Sequence, residues 1–121
     1  MSTLLRLVQQ YWLLLSSLNL IILTTLSLWP LDALPGVPGT DKSHHLIAYA
    51  ALIFPVALRA HRYLWPLAFA ALCWSGMIEL IQPLVNRYGD WLDMAANLAG
   101  LGLGVLCGYL LQRWLARTAA G

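Results

Sequence analysis

The chain has 121 residues, of which 60% are hydrophobic and only 10% are charged. Soluble globular domains carry about a quarter charged residues and rarely exceed about half apolar ones, so this composition argues against an ordinary soluble core. The formal net charge of +2 is also too small and too scattered for a nucleic-acid partner. We therefore predict an all-α integral membrane protein with a single transmembrane domain over residues 1–121.

Four apolar segments follow one another along the chain and predict helices at about 11–29, 42–58, 65–83 and 91–112. Each is long enough to cross roughly 30 Å of hydrocarbon at about 1.5 Å per residue. A proline- and glycine-rich stretch over residues 30–40 predicts a loop after the first helix. The first segment is longer than the core of a secretory signal and lacks a small-residue cleavage site, so we expect a retained membrane helix. Within it, Asn19 is expected to face another helix rather than lipid.

The distribution of positive residues predicts the orientation of these four helices. Placing the N-terminus in the cytoplasm leaves only Lys42 and Arg87 on the outer side. The inner side then holds the remaining basic residues, Arg6, Arg59, Arg62, Arg113 and Arg117. The sequence thus favours a four-helix bundle with both termini inside.

Polar residues recur at helical spacing near the outer ends of three of the predicted helices. At about 100° per residue they fall on one face of each helix. They are Asp41, His45 and Tyr49 on the second helix, with Lys42 at the margin, Glu79 and Gln82 on the third, and Asp93 and Asn97 on the fourth. Ionisable groups are costly inside a membrane, so this coincidence of face and depth predicts a polar pocket near the outer leaflet, with Lys42 and Arg87 at its rim.

Small residues and cysteines give two packing predictions. Gly100, Gly104 and Gly108 repeat every fourth residue and continue the face of Asp93 and Asn97. This spacing lets helix backbones approach closely in lipid, so we expect the fourth predicted helix to be central. Cys73 and Cys107 lie in the middle of apolar segments and are expected to be buried packing residues, since no spacing supports a disulfide or a metal pair.

The order of the polar motifs resembles the VanZ-like family of small bacterial membrane proteins. The residues that carry the resemblance are Asp41-Lys42-x-x-His45-x-x-x-Tyr49, Glu79-x-x-Gln82, Arg87, and Asp93-x-x-x-Asn97-x-x-Gly100-x-x-x-Gly104. They cover about residues 41 to 104, and the chain is short, with nothing corresponding to extra domains of longer relatives. The family is named for a protein linked to resistance to the glycopeptide teicoplanin. The resemblance implies a location in the bacterial inner membrane and a connection to the cell envelope, but no particular reaction.

The residue types in the predicted pocket suit an amphiphile of the outer leaflet, such as a phospholipid or a lipid-linked cell-wall intermediate. Lys42 and Arg87 are predicted to hold a phosphate. His45, together with Glu79 or Asp93, is the candidate acid–base pair. The other candidate binding residues are Asp41, Tyr49, Gln82 and Asn97.

Several alternatives remain open from the sequence. No nucleophile elbow, phosphate loop or HExxH pattern names a reaction, so the sequence does not decide whether the protein is an enzyme, and it indicates no cofactor. The polar layer also suits a small transporter or proton relay, which would need a homo-oligomer, or a scaffold that docks an envelope protein. A purely structural polar network is another reading. A metal site is a weaker alternative, with the ligands Asp41, His45, Glu79 and Asp93.

Overall fold

The computed structural model describes residues 2–30, 41–59 and 61–121, without the side chains of Asp41 and His61. The described residues form helices and no strand, which confirms the all-α prediction. The helices are α1 (Thr3–Gln10), α2 (Trp12–Leu28), α3 (Asp41–Arg59), α4 (His61–Ile81), a short 3-10 helix (Gln82–Val85) and α5 (Trp91–Ala120). The predicted loop at residues 31–40 lies outside the described part of the chain.

Two stretches of the described chain are long and apolar enough to cross a membrane, Arg62–Val85 and Trp91–Ala120. The same criterion is met by Thr3–Gln10 and Trp12–Leu28 only when the two helices are taken together. The chain bends by 75° between them. The described residues therefore contain two candidate spans, or three when the bent pair counts as one span.

The short helix α1 is the element that the sequence did not predict. Ser2 is the N-cap of this helix, and its side chain accepts a hydrogen bond from the Leu5 N–H. None of its residues is buried, and it ends at Tyr11, where the chain bends into α2. The Gln9 side-chain amide donates to the Leu58 carbonyl at 3.3 Å, which fastens α1 to the far end of α3.

Two other helix limits differ from the predicted ones. Helix α4 begins at His61, so Pro66 lies inside it and not in its first turn. Because a proline removes only one backbone N–H, the preceding turn still forms. Helix α5 has 30 residues and continues to Ala120. At about 1.5 Å per residue it is about 45 Å long, which exceeds the thickness of a hydrocarbon core.

Helix α3 is the centre of the fold, because it contacts every other α-helix of the described chain. Its most extensive contact is with α5, which runs parallel to it. Gly100 packs on the Leu46 backbone, Gly104 on Ala50 and Gly108 on Ala57. The glycine stripe therefore brings two backbones together as predicted, but α5 itself touches only α3 and α4, so the expectation that the glycine-bearing helix is central was wrong.

Helix α2 is attached to the opposite side of α3 by polar side chains as well as by apolar contacts. The Ser16 hydroxyl donates to the Leu52 carbonyl at 2.9 Å, and the Asn19 amide donates to the Ala48 carbonyl at 3.0 Å. The prediction that Asn19 faces another helix is thus confirmed. Cys73 and Cys107, in contrast, are both exposed on the outer surfaces of their helices, so their predicted packing role was wrong. A thiol is apolar enough to face lipid, which is why hydropathy alone could not place them.

The glycine contact gives a direct test of the packing of α3 on α5. Replacing Gly104 with alanine adds a methyl group against the Ala50 backbone and the Ile53 side chain, so it should destabilise the fold by about 1–3 kcal/mol, as overpacking does. Gly102→Ala is the matched control, since a Cβ there meets no atom within 4 Å. Unfolding in mixed detergent measures both variants, and equal stabilities would contradict the proposed role of the stripe.

Candidate functional site

The inward faces of three helices bring polar side chains together at one end of the fold. This polar cluster consists of Lys42, His45 and Tyr49 on α3, Ser75, Glu79 and Gln82 on α4 and the 3-10 helix, and Asp90, Asp93 and Asn97 at the start of α5. On each helix the members lie three or four residues apart, which places them on one face. All of them except Lys42 and Asp90 are buried. The cluster thus forms a polar layer in an otherwise apolar fold.

His45 lies at the centre of the cluster, with a side chain of α5 close to each of its ring nitrogens. Its Nδ1 is 2.9 Å from Oδ1 of Asn97, and its Nε2 is 3.6 Å from Oδ2 of Asp93. The Asn97 amide nitrogen donates to the Ser75 hydroxyl at 2.6 Å, and Ser75 also bonds Tyr49. Because Oδ1 of Asn97 can only accept, His45 donates from Nδ1. The Nδ1 nitrogen is therefore committed to Asn97, while Nε2 faces the Asp93 carboxylate from beyond hydrogen-bond distance.

The ammonium group of Lys42 forms ion pairs with two carboxylates of the same cluster. Its Nζ lies 3.1 Å from Oδ2 of Asp90 and 3.2 Å from Oδ1 of Asp93. Asp90 also caps α5, since its Oδ1 accepts a hydrogen bond from the Leu92 N–H at 2.9 Å. That backbone bond, followed by the bond from Lys42, holds the pKa of the Asp90 carboxyl below its usual range. Lys42 thus neutralises acids of the protein itself.

Glu79 and Gln82 are each bound on one side only. Oε2 of Glu79 accepts the Asp90 N–H at 2.7 Å, and Nε2 of Gln82 donates to the Ser27 carbonyl at 3.1 Å. Their remaining oxygens, Oε1 of each, are buried and accept no hydrogen bond from any described residue. An unsatisfied buried acceptor costs about 1–3 kcal/mol, so two on one face indicate a place where a ligand or water completes the site.

The loop between the 3-10 helix and α5 is held tightly against Glu79. It turns at Asn86, which has a φ of 58°, a left-handed conformation that asparagine tolerates better than most residues. A Cβ on Gly89 would lie 2.6 Å from the Glu79 carbonyl oxygen, so only glycine fits there. Arg87 turns away from the cluster and donates from Nη1 to the Trp29 carbonyl at 3.2 Å.

The structure brings together most of the residues that the sequence predicted for the pocket. Lys42, His45, Tyr49, Glu79, Gln82, Asp93 and Asn97 all belong to the cluster, and Gly100, Gly104 and Gly108 are buried in the α3–α5 contact. The Arg87 side chain bonds the Trp29 carbonyl, although its backbone N–H donates to the Gln82 carbonyl at 3.0 Å. The side chain of Asp41 is outside the described residues. Ser75 and Asp90 belong to the cluster although neither was predicted as a site residue. Their positions, four residues before Glu79 and at the cap of α5, would have indicated them.

The described residues contain no group of three or more histidine, cysteine, aspartate or glutamate side chains placed to hold a metal ion. His45 and Asp93 face each other, but Glu79 is tied to the Asp90 backbone. The geometry thus gives the metal alternative no support among these side chains.

Comparison of the chain with models of protein families, with curated proteins and with solved structures found no match. The resemblance to the VanZ-like family therefore stays a prediction that rests on the motif residues. What bears on function is the geometry of the polar cluster.

The bonds of Asn97 predict energetic coupling within the cluster. Asn97→Ala should destabilise the fold by about 1–3 kcal/mol, because it removes the hydrogen bonds that His45 Nδ1 and the Ser75 hydroxyl make with the Asn97 amide in a buried setting. In a double-mutant cycle Asn97→Ala and Ser75→Ala should couple by about 0.5–3 kcal/mol.

The control for this cycle is Thr25→Val, which removes an exposed hydroxyl bonded to the Ile21 carbonyl within α2. Combined with Asn97→Ala, it should be additive. Unfolding in detergent provides the free energies, and additivity of the Ser75 pair would show that the buried bond contributes nothing.

Proposed function

We propose that this protein is a VanZ-like integral protein of the bacterial inner membrane that binds the polar head of an envelope amphiphile. In this proposal α2, α3, α4 and α5 cross the membrane, both termini are cytoplasmic, and the polar cluster lies near the outer leaflet. The amphiphile is a phospholipid or a lipid-linked cell-wall intermediate. Binding of this kind would connect the protein with glycopeptide susceptibility.

The observation that carries the proposal is the pair of unpartnered oxygens on Glu79 and Gln82. A network that served only for packing would satisfy its own acceptors, because an unpaired polar group is costly in an apolar surrounding. The remainder of the cluster does so, with His45, Asn97 and Ser75 bonded to one another. The two free acceptors therefore favour a bound partner over a purely structural role.

The geometry also assigns different roles to the predicted acid–base candidates. His45 and Asp93 face each other, and Asp93 is further bound by Lys42. Glu79 is the candidate with a free oxygen. We assign Glu79 as the group that contacts the head group, and His45 and Asp93 as positioning residues that hold α3 and α5 in register around it.

Site-specific photo-crosslinking tests the proposal. Trp91 lies beside the cluster and Trp114 at the opposite end of α5, with similar exposed fractions of 62% and 58%. A benzoylphenylalanine at position 91 should capture one head-group class above its abundance in the membrane, because the cluster retains it. The same probe at position 114 should capture lipids in their bulk proportions, as measured by mass spectrometry of the adducts.

Glu79→Gln should remove the enrichment at position 91, whereas Ser16→Ala, which loses a hydrogen bond to the Leu52 carbonyl, should preserve it. In a host whose teicoplanin susceptibility depends on the protein, Glu79→Gln should also lose the phenotype at normal membrane levels. Bulk lipid proportions at both positions in the wild-type protein would contradict the proposal.

A proton relay is the second candidate, and one observation favours it. Polar contacts run from half-exposed Lys42 to Asp93 at 3.2 Å and from Asp93 to Nε2 of buried His45 at 3.6 Å. Such a chain can pass a proton by alternating the protonation of the two imidazole nitrogens. It would require an exit path on the other side, which one copy of the described chain does not supply.

Proton flux into liposomes distinguishes the relay from the binding site. A relay should acidify the lumen under an imposed potential, and both Asp93→Asn and His45→Gln should lower the rate at least about a hundredfold, the lower end of what a group that transfers protons contributes. Arg113→Gln is the control, because its guanidinium contacts Tyr109 at the far end of α5. Wild-type flux no greater than that of empty liposomes would eliminate the relay.

A further inference from the structure

We propose that the free end of the polar cluster is built for a primary ammonium group, which Glu79 and Gln82 hold through their two unpartnered Oε1 atoms. The inference rests on the proposed head-group site and names the chemical class that the site selects. It follows from three properties of the described residues: the sign of the charge in the cluster, the kind of hydrogen-bonding groups left free, and the depth at which they lie.

The first property is an excess of acid. Lys42 is the one cation of the described cluster that is charged at all ordinary pH values, and it faces Asp90 and Asp93. Glu79 adds a third carboxyl group, while Arg87 is directed to the Trp29 carbonyl instead. Even a protonated His45, which faces Asp93, would leave the acids in excess. A phosphate would meet net negative charge here, so the cluster favours a cationic group.

The second property is that the buried atoms left without any partner among the described residues are acceptors. The nitrogens of the cluster each have a partner, with Lys42 on two carboxylates, the Asn97 amide on Ser75 and the Gln82 amide on Ser27. The groups left over are one carboxylate oxygen and one amide oxygen. A ligand that completes the site must therefore bring hydrogen-bond donors. A primary ammonium carries three N–H donors and a positive charge, whereas a quaternary ammonium carries the charge alone.

The third property is burial. Glu79 is only 4% exposed and Gln82 only 1% exposed, so both oxygens lie where water competes weakly. Each side chain is also fixed from its other side, by the Asp90 N–H and by the Ser27 carbonyl. Charge-assisted hydrogen bonds are roughly twice as strong as neutral ones, and preorganised partners lose little entropy on binding. Together these features form a built site for a small donor cation and not a solvated acidic patch.

Protonation of Glu79 is the competing explanation, because a neutral carboxylic acid could donate a proton to the Gln82 oxygen and need no ligand. Glutamine has the same shape as a protonated glutamate and also donates from that position. Glu79→Gln thus separates the two cases. It leaves a site built around a neutral acid almost unchanged, and it removes the charge that an ammonium needs.

The experiment compares two lipids of equal net charge whose head groups carry either three N–H donors or three methyl groups in their place. The protein is reconstituted in nanodiscs of phosphatidylglycerol mixed with either phosphatidylethanolamine or phosphatidylcholine, and retained lipid is counted by native mass spectrometry. Both test head groups have the same net charge, but only phosphatidylethanolamine has N–H donors. We expect wild-type protein to retain phosphatidylethanolamine at least about tenfold over phosphatidylcholine, the ratio that one charge-assisted hydrogen bond supplies. The preference should disappear in Glu79→Gln and persist in Ser16→Ala.

Soluble ethanolamine forms the second arm and identifies the source of the amine. If it displaces the retained lipid, the ammonium alone carries recognition; if it does not, the ammonium must be attached to a lipid. Equal retention of the two lipids by the wild-type protein overturns the inference, and so does an unchanged preference in Glu79→Gln. The wild-type comparison decides even when that variant folds poorly.

The outcomes also separate this inference from the function on which it rests. Selective retention of a lipid without an amine would leave the head-group site intact and exclude the ammonium. No selective retention of any lipid would remove both.

Discussion

The polar cluster depends on the close approach of α3 and α5. Gly100 and Gly104 let the two backbones meet at Leu46 and Ala50, and one turn earlier along the same pair of helices His45 reaches Asn97 at 2.9 Å. Larger residues on that stripe would push the helices apart and stretch this bond first. The glycines are thus structural residues whose effect is felt at the site, because two parallel helices carry any change in spacing along their length.

Once α3 and α5 are in contact, the cost of burying polar groups decides which interactions form. Asn97 joins His45 on α3 to Ser75 on α4, and in doing so it satisfies both the oxygen and the nitrogen of its side-chain amide. Asp93 binds Lys42 and lies close to His45, so its negative charge is compensated by Lys42 in a buried position. In a low-dielectric surrounding each such contact is strong, and each missing one is expensive. Oε1 of Glu79 and Oε1 of Gln82 differ from these groups, because neither accepts a hydrogen bond from a described residue.

The sequence predicted the inward faces well because helical spacing alone determines them. Asp93, Asn97 and Gly100 had to share a side of any regular helix, and the structure buries all three there. What the sequence could not predict depends on tertiary contacts. The direction of Arg87 is decided by the free carbonyl at Trp29, and the bend at Tyr11 leaves α1 outside the apolar segment that was recognised. Hydropathy likewise gave no way to tell the exposed cysteines, Cys73 and Cys107, from packed ones.

The two candidate functions use different ends of the same cluster. An ammonium would reach Oε1 of Glu79, whereas the relay contacts run from Lys42 through Asp93 to His45. Because Oε2 of the Glu79 carboxylate holds the Asp90 N–H, the charge on Glu79 also acts on the loop that begins α5. Asp90 in turn binds Lys42, so a change of charge at Glu79 is linked to the ion pairs on α3. Glu79 therefore joins the free end of the cluster to its satisfied end.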